Sequence, residues 1–180
     1  MNCNITLGGT GGQGLVMAGI IFAEAAMLEK HNVLQSQSYG PEARGGASKS
    51  DIIISSEEID YPKVLKTDIL LAMSQMAEDK YLDTLSPTGI MIVDTTFVKN
   101  IPATNGKIYM LPITRTIQDK LKSPLSASIA ALGAIVAITQ VVKLESLLEA
   151  VKHRVPKGTD ELNCAAVKLG FEMGKEASKN

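Results

Sequence analysis

Tyr39, Glu42 and Arg44 stand among Gly40-Pro41 and Gly45-Gly46 in the stretch Ser-Gln-Ser-Tyr-Gly-Pro-Glu-Ala-Arg-Gly-Gly-Ala-Ser-Lys-Ser-Asp, residues 36–51. A plain surface loop needs only turn formers. This one adds three ligand-capable side chains to backbone that is stiff at proline and permissive at glycine. A guanidinium held between glycines can make paired hydrogen bonds to a carboxylate or phosphate, so Arg44 is the candidate for holding an anion. An internal ion pair with Glu42 or Asp51 is the alternative, and residue types leave the two open. Tyr39 either orients a ligand through its hydroxyl or covers an edge of the core.

A second candidate is Gly9-Thr10-Gly11-Gly12-Gln13-Gly14, which satisfies G-x-G-x-x-G between an expected strand and an expected helix. In that context glycines let backbone N–H groups approach a phosphate at a helix N-terminus. Dinucleotide binding also needs an acidic residue about twenty positions on, at the end of the second strand. The chain has Gln35, Ser36 and Gln37 there. Gly11, Gly12 and Gly14 therefore read as a turn for close packing, or for contact with a phosphate or a neighbouring chain, and Gln13 as the side chain able to reach outward.

Other chemistry is sparse. His31 and His153 have no ligand spacing with Cys, Asp or Glu, and no serine nucleophile elbow is present. No metal site and no catalytic residue is assigned. Asp94-Thr95-Thr96 ends an expected strand where open parallel sheets bind ligands, so Asp94 is either a second contact or the cap of a turn. Cys3 and Cys164 are two thiols far apart in sequence, too few for a cluster or a disulfide framework, and read as reduced and buried. The eight methionines, Met73 and Met76 among them, read as fillers of core gaps or subunit surfaces.

With 180 residues the chain suffices for one domain spanning 1–180. Charged residues are 21% of it and nearly cancel, to a net charge of -1, which gives no field for nucleic acid or an anionic membrane. Aromatics at 4% and no tryptophan argue against a base-stacking surface. The start, Met1-Asn2-Cys3-Asn4, lacks the basic and apolar regions of a secretory signal, so a cytoplasmic protein is expected. Ser123 to Val142 carries no charge but is rich in alanine and interrupted by polar residues, and reads as a buried helix rather than a membrane span.

These candidates need elements to position them. Short apolar runs predict strands at Asn4–Leu7, Asn32–Gln37, Ser48–Ser55, Asp68–Met73, Ile90–Asp94 and Lys107–Leu111. Helical spacing predicts Leu15–Glu29, a helix capped by Ser74 and reaching Leu85, then Arg115–Lys122, Pro124–Val142, Leu144–His153 and Thr159–Ser178. Ile52-Ile53-Ile54 suits burial on both sheet faces, and Pro87-Thr88-Gly89 reads as a turn into the fifth strand. Alternating strands and helices call for an α/β, three-layer Rossmann-like fold, with a mostly parallel sheet covered on both faces and a helical C-terminal third.

Taken together these residues resemble the gamma subunit, or the corresponding catalytic domain, of 2-oxoacid:ferredoxin oxidoreductases. The resemblance rests on Gly11-Gly12-Gln13-Gly14 with Ala18-Gly19, on residues 37–46 with Ser48 and Ser50-Asp51, on Ser74-Gln75 and Lys80-Tyr81, and on Ala131-Leu132-Gly133-Ala134. Tyr-Gly-Pro-Glu-Ala-Arg-Gly-Gly resembles the 2-oxoglutarate type more than the pyruvate type. Ser128 departs from the asparagine the family carries there, which puts a polar role for that position in doubt.

The resemblance implies CoA-dependent oxidative decarboxylation with electrons passed to ferredoxin. It places thiamine diphosphate, magnesium and iron–sulfur clusters on partner subunits, with coenzyme A as cosubstrate. This chain lacks the Gly-Asp-Gly start of a thiamine diphosphate site and is expected to be inactive alone. Gly11, Gly12, Gln13, Gly14, Tyr39, Gly40, Glu42, Arg44, Gly45 and Gly46 are then expected to line a subunit interface or a wall of the coenzyme A or substrate channel. A free-standing Rossmann-type dinucleotide reductase and a non-catalytic assembly subunit remain as alternatives.

Overall fold

A computed structural model gives the fold and describes residues 2–39, 46–101, 104 and 106–179, with the backbone alone for Tyr39. The strands are β1 (Asn2–Thr10), β2 (Asn32–Tyr39), β3 (Ala47–Ser55), β4 (Thr67–Ala72), β5 (Leu85–Asp94) and β6 (Lys107–Leu111). The helices are α1 (Leu15–Leu28), α2 (Gln75–Tyr81), α3 (Ile113–Leu121), α4 (Ala127–Thr139), α5 (Leu144–Arg154) and α6 (Asp160–Ala177), with short 3-10 turns at Leu82–Thr84 and Pro124–Ser126.

The six strands form one sheet in the order β2-β3-β1-β4-β5-β6. β1, β4, β5 and β6 pair in parallel, whereas β3 runs antiparallel to both β1 and β2. The mostly parallel α/β sheet expected from the alternation is thus present, with one reversed strand inserted beside β1. Reversal lets β2 and β3 join without a crossover helix, which a parallel pair would require.

The two faces of the sheet are covered unequally. Ile5, Leu7, Ile52, Ile54, Leu71 and Ile92 share the large core with α1 and α3 to α6, while Leu70, Ala72, Met91 and Val93 share a small one with α2 and Val98. Ile53 is only half-buried where Ile52 and Ile54 are sealed, so the isoleucine run is buried on one face and not both. α2 is held by the Ser74 side chain, which accepts from Ala77 N at 3.2 Å, and by Tyr81, whose ring lies under Lys49 and Lys80.

Ala127 through Val136 are all buried, which accounts for the uncharged run: a helix apolar all round belongs inside. No helix among the described residues is long and apolar enough to cross a membrane. The expected Pro124–Val142 helix is split, because Pro124 opens a 3-10 turn before α4 begins at Ala127. α4 then packs against α6 at backbone range. A Cβ on Gly170 would stand 1.7 Å from Ala130 O, and one on Gly133 2.1 Å from Val167 O.

Two further expectations are corrected. Pro87-Thr88-Gly89 does not precede β5 but lies within it, and the β4–β5 register shifts between Thr67 and Ile69 to absorb the irregularity. The α2 helix ends at Tyr81 rather than Leu85, where Thr84 Oγ1 donates back to Tyr81 O at 2.6 Å and the chain enters β5. His153 is satisfied, its Nδ1 2.9 Å from Glu24 Oε1, and with Arg154 it ties α5 to α1.

Candidate functional site at the carboxyl edge of the sheet

β1 ends in Gly8-Gly9-Thr10, and the chain turns through Gly11-Gly12-Gln13-Gly14 into α1. Gly12 has φ 93° and Gly14 φ 77°, left-handed values that glycine adopts without steric cost. Gly14 sets the start of the helix, its carbonyl accepting from Ala18 N at 3.0 Å. Ser128, where the chain departs from the asparagine expected by resemblance, lies directly beneath: a Cβ on Gly14 would stand 3.1 Å from Ser128 Oγ.

Gln13 does not reach outward. Its Oε1 accepts from Thr10 N at 2.7 Å and its Nε2 donates to Met73 O at 2.9 Å. Both ends of the amide are thus consumed in pinning the glycine turn to the residue that follows β4. The reason is local: Thr10 N at the end of β1 and the carbonyl of Met73 after β4 both need partners, and the glutamine amide supplies one of each.

Register brings the two sequence candidates together. Thr10 pairs with Ala47 in β3 and Tyr39 with Ser48, so the link from β2 to β3 leaves and returns on the edge where β1 ends. Gly46 is buried there, next to Ala47. Gly40, Pro41, Glu42, Ala43, Arg44 and Gly45 lie outside the described residues, as does the Tyr39 side chain. Asp51, one internal partner considered for Arg44, is already engaged by Lys49 Nζ at 2.5 Å and by Thr6 Oγ1 at 2.8 Å.

Alongside the glycine turn is a cavity of about 160 Å³ lined by Gly12, Gln13, Met73, Phe97, Thr114, Pro124, Leu125 and Ala127. Every one of these follows a strand end or opens a helix on the same edge, where open α/β sheets take ligands. Asp94 does not line it but holds Thr114, which does. Fully buried, it accepts from Thr96 N at 3.0 Å and from Thr114 N and Oγ1 at 3.1 and 2.5 Å, so it caps the turn and the start of α3 rather than facing a ligand. Phe97 and Leu125 are large, apolar and exposed on the rim.

Sequence reasoning missed Phe97, Thr114 and the Pro124–Ala127 turn. Phe97 beside a polar linker and Leu125 after a proline were available as signals, since large apolar residues in connections ask for a covering partner. Thr114 gave none, because its place depends on Asp94 across the sheet edge.

The donor set suits neither a dinucleotide nor a cluster. Gln35, near the position where a ribose-binding acid is wanted, donates to Ser50 Oγ at 2.8 Å and packs under α1. Cys3 lies in β1 and Cys164 in α6, both half-buried rather than sealed, and burial pushes Cys3 up to about 12, with Asp68 adding to it. Two protonated thiols on separate elements do not fit the four thiolates of a cluster. Among the described residues no group of three His, Cys, Asp or Glu could hold a metal.

Fold and edge together define a three-layer α/β protein in which the glycine turn, the two described ends of the β2–β3 link and the apolar rim lie on one side of the sheet. The chain belongs to the pyruvate ferredoxin/flavodoxin oxidoreductase family, which it matches over residues 4–173. It is 45% identical over 179 residues to 2-oxoglutarate synthase subunit KorC of Methanocaldococcus jannaschii, covering 98% of this chain and 96% of that one. The same subunit of Methanothermobacter marburgensis is 41% identical over 186 residues, 99% and 100% of the two chains. The crystal structure of a keto/oxoacid ferredoxin oxidoreductase gamma subunit from Geobacter sulfurreducens superposes with a TM-score of 0.91 at 42% identity, covering 98% of each chain.

Proposed function

We propose that this chain is the gamma-type subunit of a multi-subunit, cytoplasmic 2-oxoglutarate:ferredoxin oxidoreductase and has no turnover alone. Full-length likeness to KorC subunits supports the subunit type and the substrate. Thiamine diphosphate, magnesium and iron–sulfur clusters reside on partner subunits and supply the decarboxylation and the electron path to ferredoxin. What this chain contributes is a wall: Gly11, Gly12, Gln13 and Gly14 with Tyr39, Gly40, Glu42, Arg44, Gly45 and Gly46 line the coenzyme A or substrate channel at the subunit interface. Within it, Gln13 fixes the glycine turn and Arg44 holds an anionic group, either a substrate carboxylate or a coenzyme A phosphate.

The observation that supports this reading is the register of β3, which brings the glycine turn and both described ends of the 39–46 link to one edge beside the apolar rim of Phe97 and Leu125. In the assembled complex, Arg44→Lys keeps the charge but loses the paired geometry. It should raise the apparent KM for one anionic ligand about tenfold or more, with kcat and assembly intact. Unchanged kinetics would remove Arg44 from the channel, and loss of assembly instead would favour a purely structural loop. Titration of the isolated chain with NAD, NADP and FAD separates this reading from a dinucleotide reductase, since no tight binding is expected.

A further inference from the structure

On the face of the sheet away from the large core, α2 and the connection after β5 border a wide-open surface cavity of about 700 Å³, lined by Glu78, Asp79, Leu82, Lys99, Asn100 and Ile101. Glu78 is 1% exposed, and among the described residues its Oε1 is the buried side-chain oxygen or nitrogen without a hydrogen-bond partner. Its other oxygen accepts from Gln75 Nε2 at 2.9 Å. The same Nε2 also faces Asp79 Oδ1 at 3.0 Å and Asn100 O at 2.9 Å, three acceptors for two N–H bonds. Lys99 lines the same cavity, but its ammonium donates to Thr95 O at 2.5 Å and, among the described residues, is within ion-pair distance of neither Glu78 nor Asp79.

The site is therefore short of donors, with two carboxyl groups to one ammonium, and apolar on two walls. Burying a carboxylate without a counter-charge is costly, and such groups are ordinarily paired. A metal ion fits poorly, because it needs a close shell of oxygens where Leu82 and Ile101 stand. A long basic side chain fits both features: methylenes against the apolar walls and a cationic head at the carboxylates.

We propose that this cavity is a docking socket for a lysine or arginine side chain of a partner subunit, with the stem against Leu82 and Ile101 and the head on the exposed Asp79, close enough to the buried Glu78 to favour its ionised form. The inference rests on the subunit reading above and concerns the opposite side of β5 from the carboxyl-edge cavity. The charged groups facing Glu78 are Asp79 on α2 and Lys99 after β5. Lys49 and Asp51 on β3 pair with each other near Tyr81, Asp68 on β4 takes the N–H of Asn4, and β1 carries no charged residue. Burial, with the neighbouring Asp79, pushes the Glu78 carboxyl up to about 7, so a cation that holds it ionised binds more tightly as pH rises through that value.

The test is the dissociation constant between this chain and its co-expressed partner subunits at about pH 6 and about pH 8, for the native chain and for Glu78→Gln, with circular dichroism as the check on folding. The native chain should associate about tenfold more tightly at the higher pH. Glu78→Gln should fold, lose that pH dependence and associate at least about tenfold more weakly at pH 8. Association of Glu78→Gln equal to native at pH 8 overturns the socket while leaving the subunit reading in place. Shifts of the Gln75 and Lys99 amide resonances on adding magnesium chloride alone overturn it in favour of a metal. A native chain that associates with no partner overturns both.

Discussion

Gln13 Nε2 stands 2.9 Å from the carbonyl oxygen of Met73, so a single side chain fastens the glycine turn after β1 to the end of β4. Its Oε1 holds Thr10 N at 2.7 Å in the same act. Gln13→Ala should cost about 1–2 kcal/mol for the two bonds, while Gln13→Glu should cost more, since a carboxylate oxygen would then face the Met73 carbonyl. Urea denaturation midpoints of the two variants give the order. Equal stability of Gln13→Glu and native chain would mean that the side chain is free to turn outward.

Gly170 and Gly11 differ in what an added Cβ would meet, and the same substitution separates them. Gly170→Ala would push a Cβ against Ala130 O at 1.7 Å, where backbone cannot yield without parting α4 from α6, so a loss of about 3 kcal/mol is expected. Gly11→Ala meets nothing within 4 Å and should change stability by less than about 0.5 kcal/mol. Thermal melts check both. Because Gly11→Ala leaves the fold alone, any effect it has in the assembled complex reports on what covers the carboxyl edge.

The fold was legible where an apolar run or a helical period lies within one element. β6 falls on Lys107–Leu111 as its apolar run predicts, and α1, α5 and α6 end within a residue or so of their periodicity. What failed was decided across the sheet. Pro87 and Gly89 carry strong turn chemistry, yet pairing with β4 draws them into β5, at the cost of a register shift. The direction of β3 has no signature in its own residues, because a strand with one sealed face reads alike in either orientation. The site shows the same division. Gly11 to Gly14 and the link from Tyr39 to Gly46 announce themselves by composition, but that they share an edge follows only from the pairing of Thr10 with Ala47. The inward turn of Gln13 was hidden because Met73 O, its acceptor, is sixty residues away.

Asp94 is a second support of the carboxyl edge, beside Gln13. It is fully buried, and its two oxygens serve Thr96 N on one side and Thr114 N and Oγ1 on the other. Asp94→Asn keeps the shape but presents an NH2 group to one of these donor sets, so at least one N–H is left unpaired in the interior. A loss of about 2–3 kcal/mol is expected, read from chemical denaturation. A variant as stable as the native chain would mean that water reaches this carboxylate.

Glu78 should have the opposite sign. In the unfolded chain its carboxyl titrates near 4.5, and in the folded chain at about 7, because burial and Asp79 oppose its ionisation. Between those values the folded state keeps a proton that the unfolded state has released, so stability falls as pH rises from about 4.5 to about 7 and stays low above. Removing the acid removes that loss. Glu78→Gln should therefore be more stable than the native isolated chain by about 2 kcal/mol at pH 8 and indistinguishable from it at pH 4. Urea midpoints at the two pH values check this. A Glu78→Gln chain less stable than native at pH 8 would mean that the carboxylate already has a counter-charge within this chain. The expected result leaves an acid that weakens the isolated chain above about pH 7, the loss that the proposed partner cation would offset.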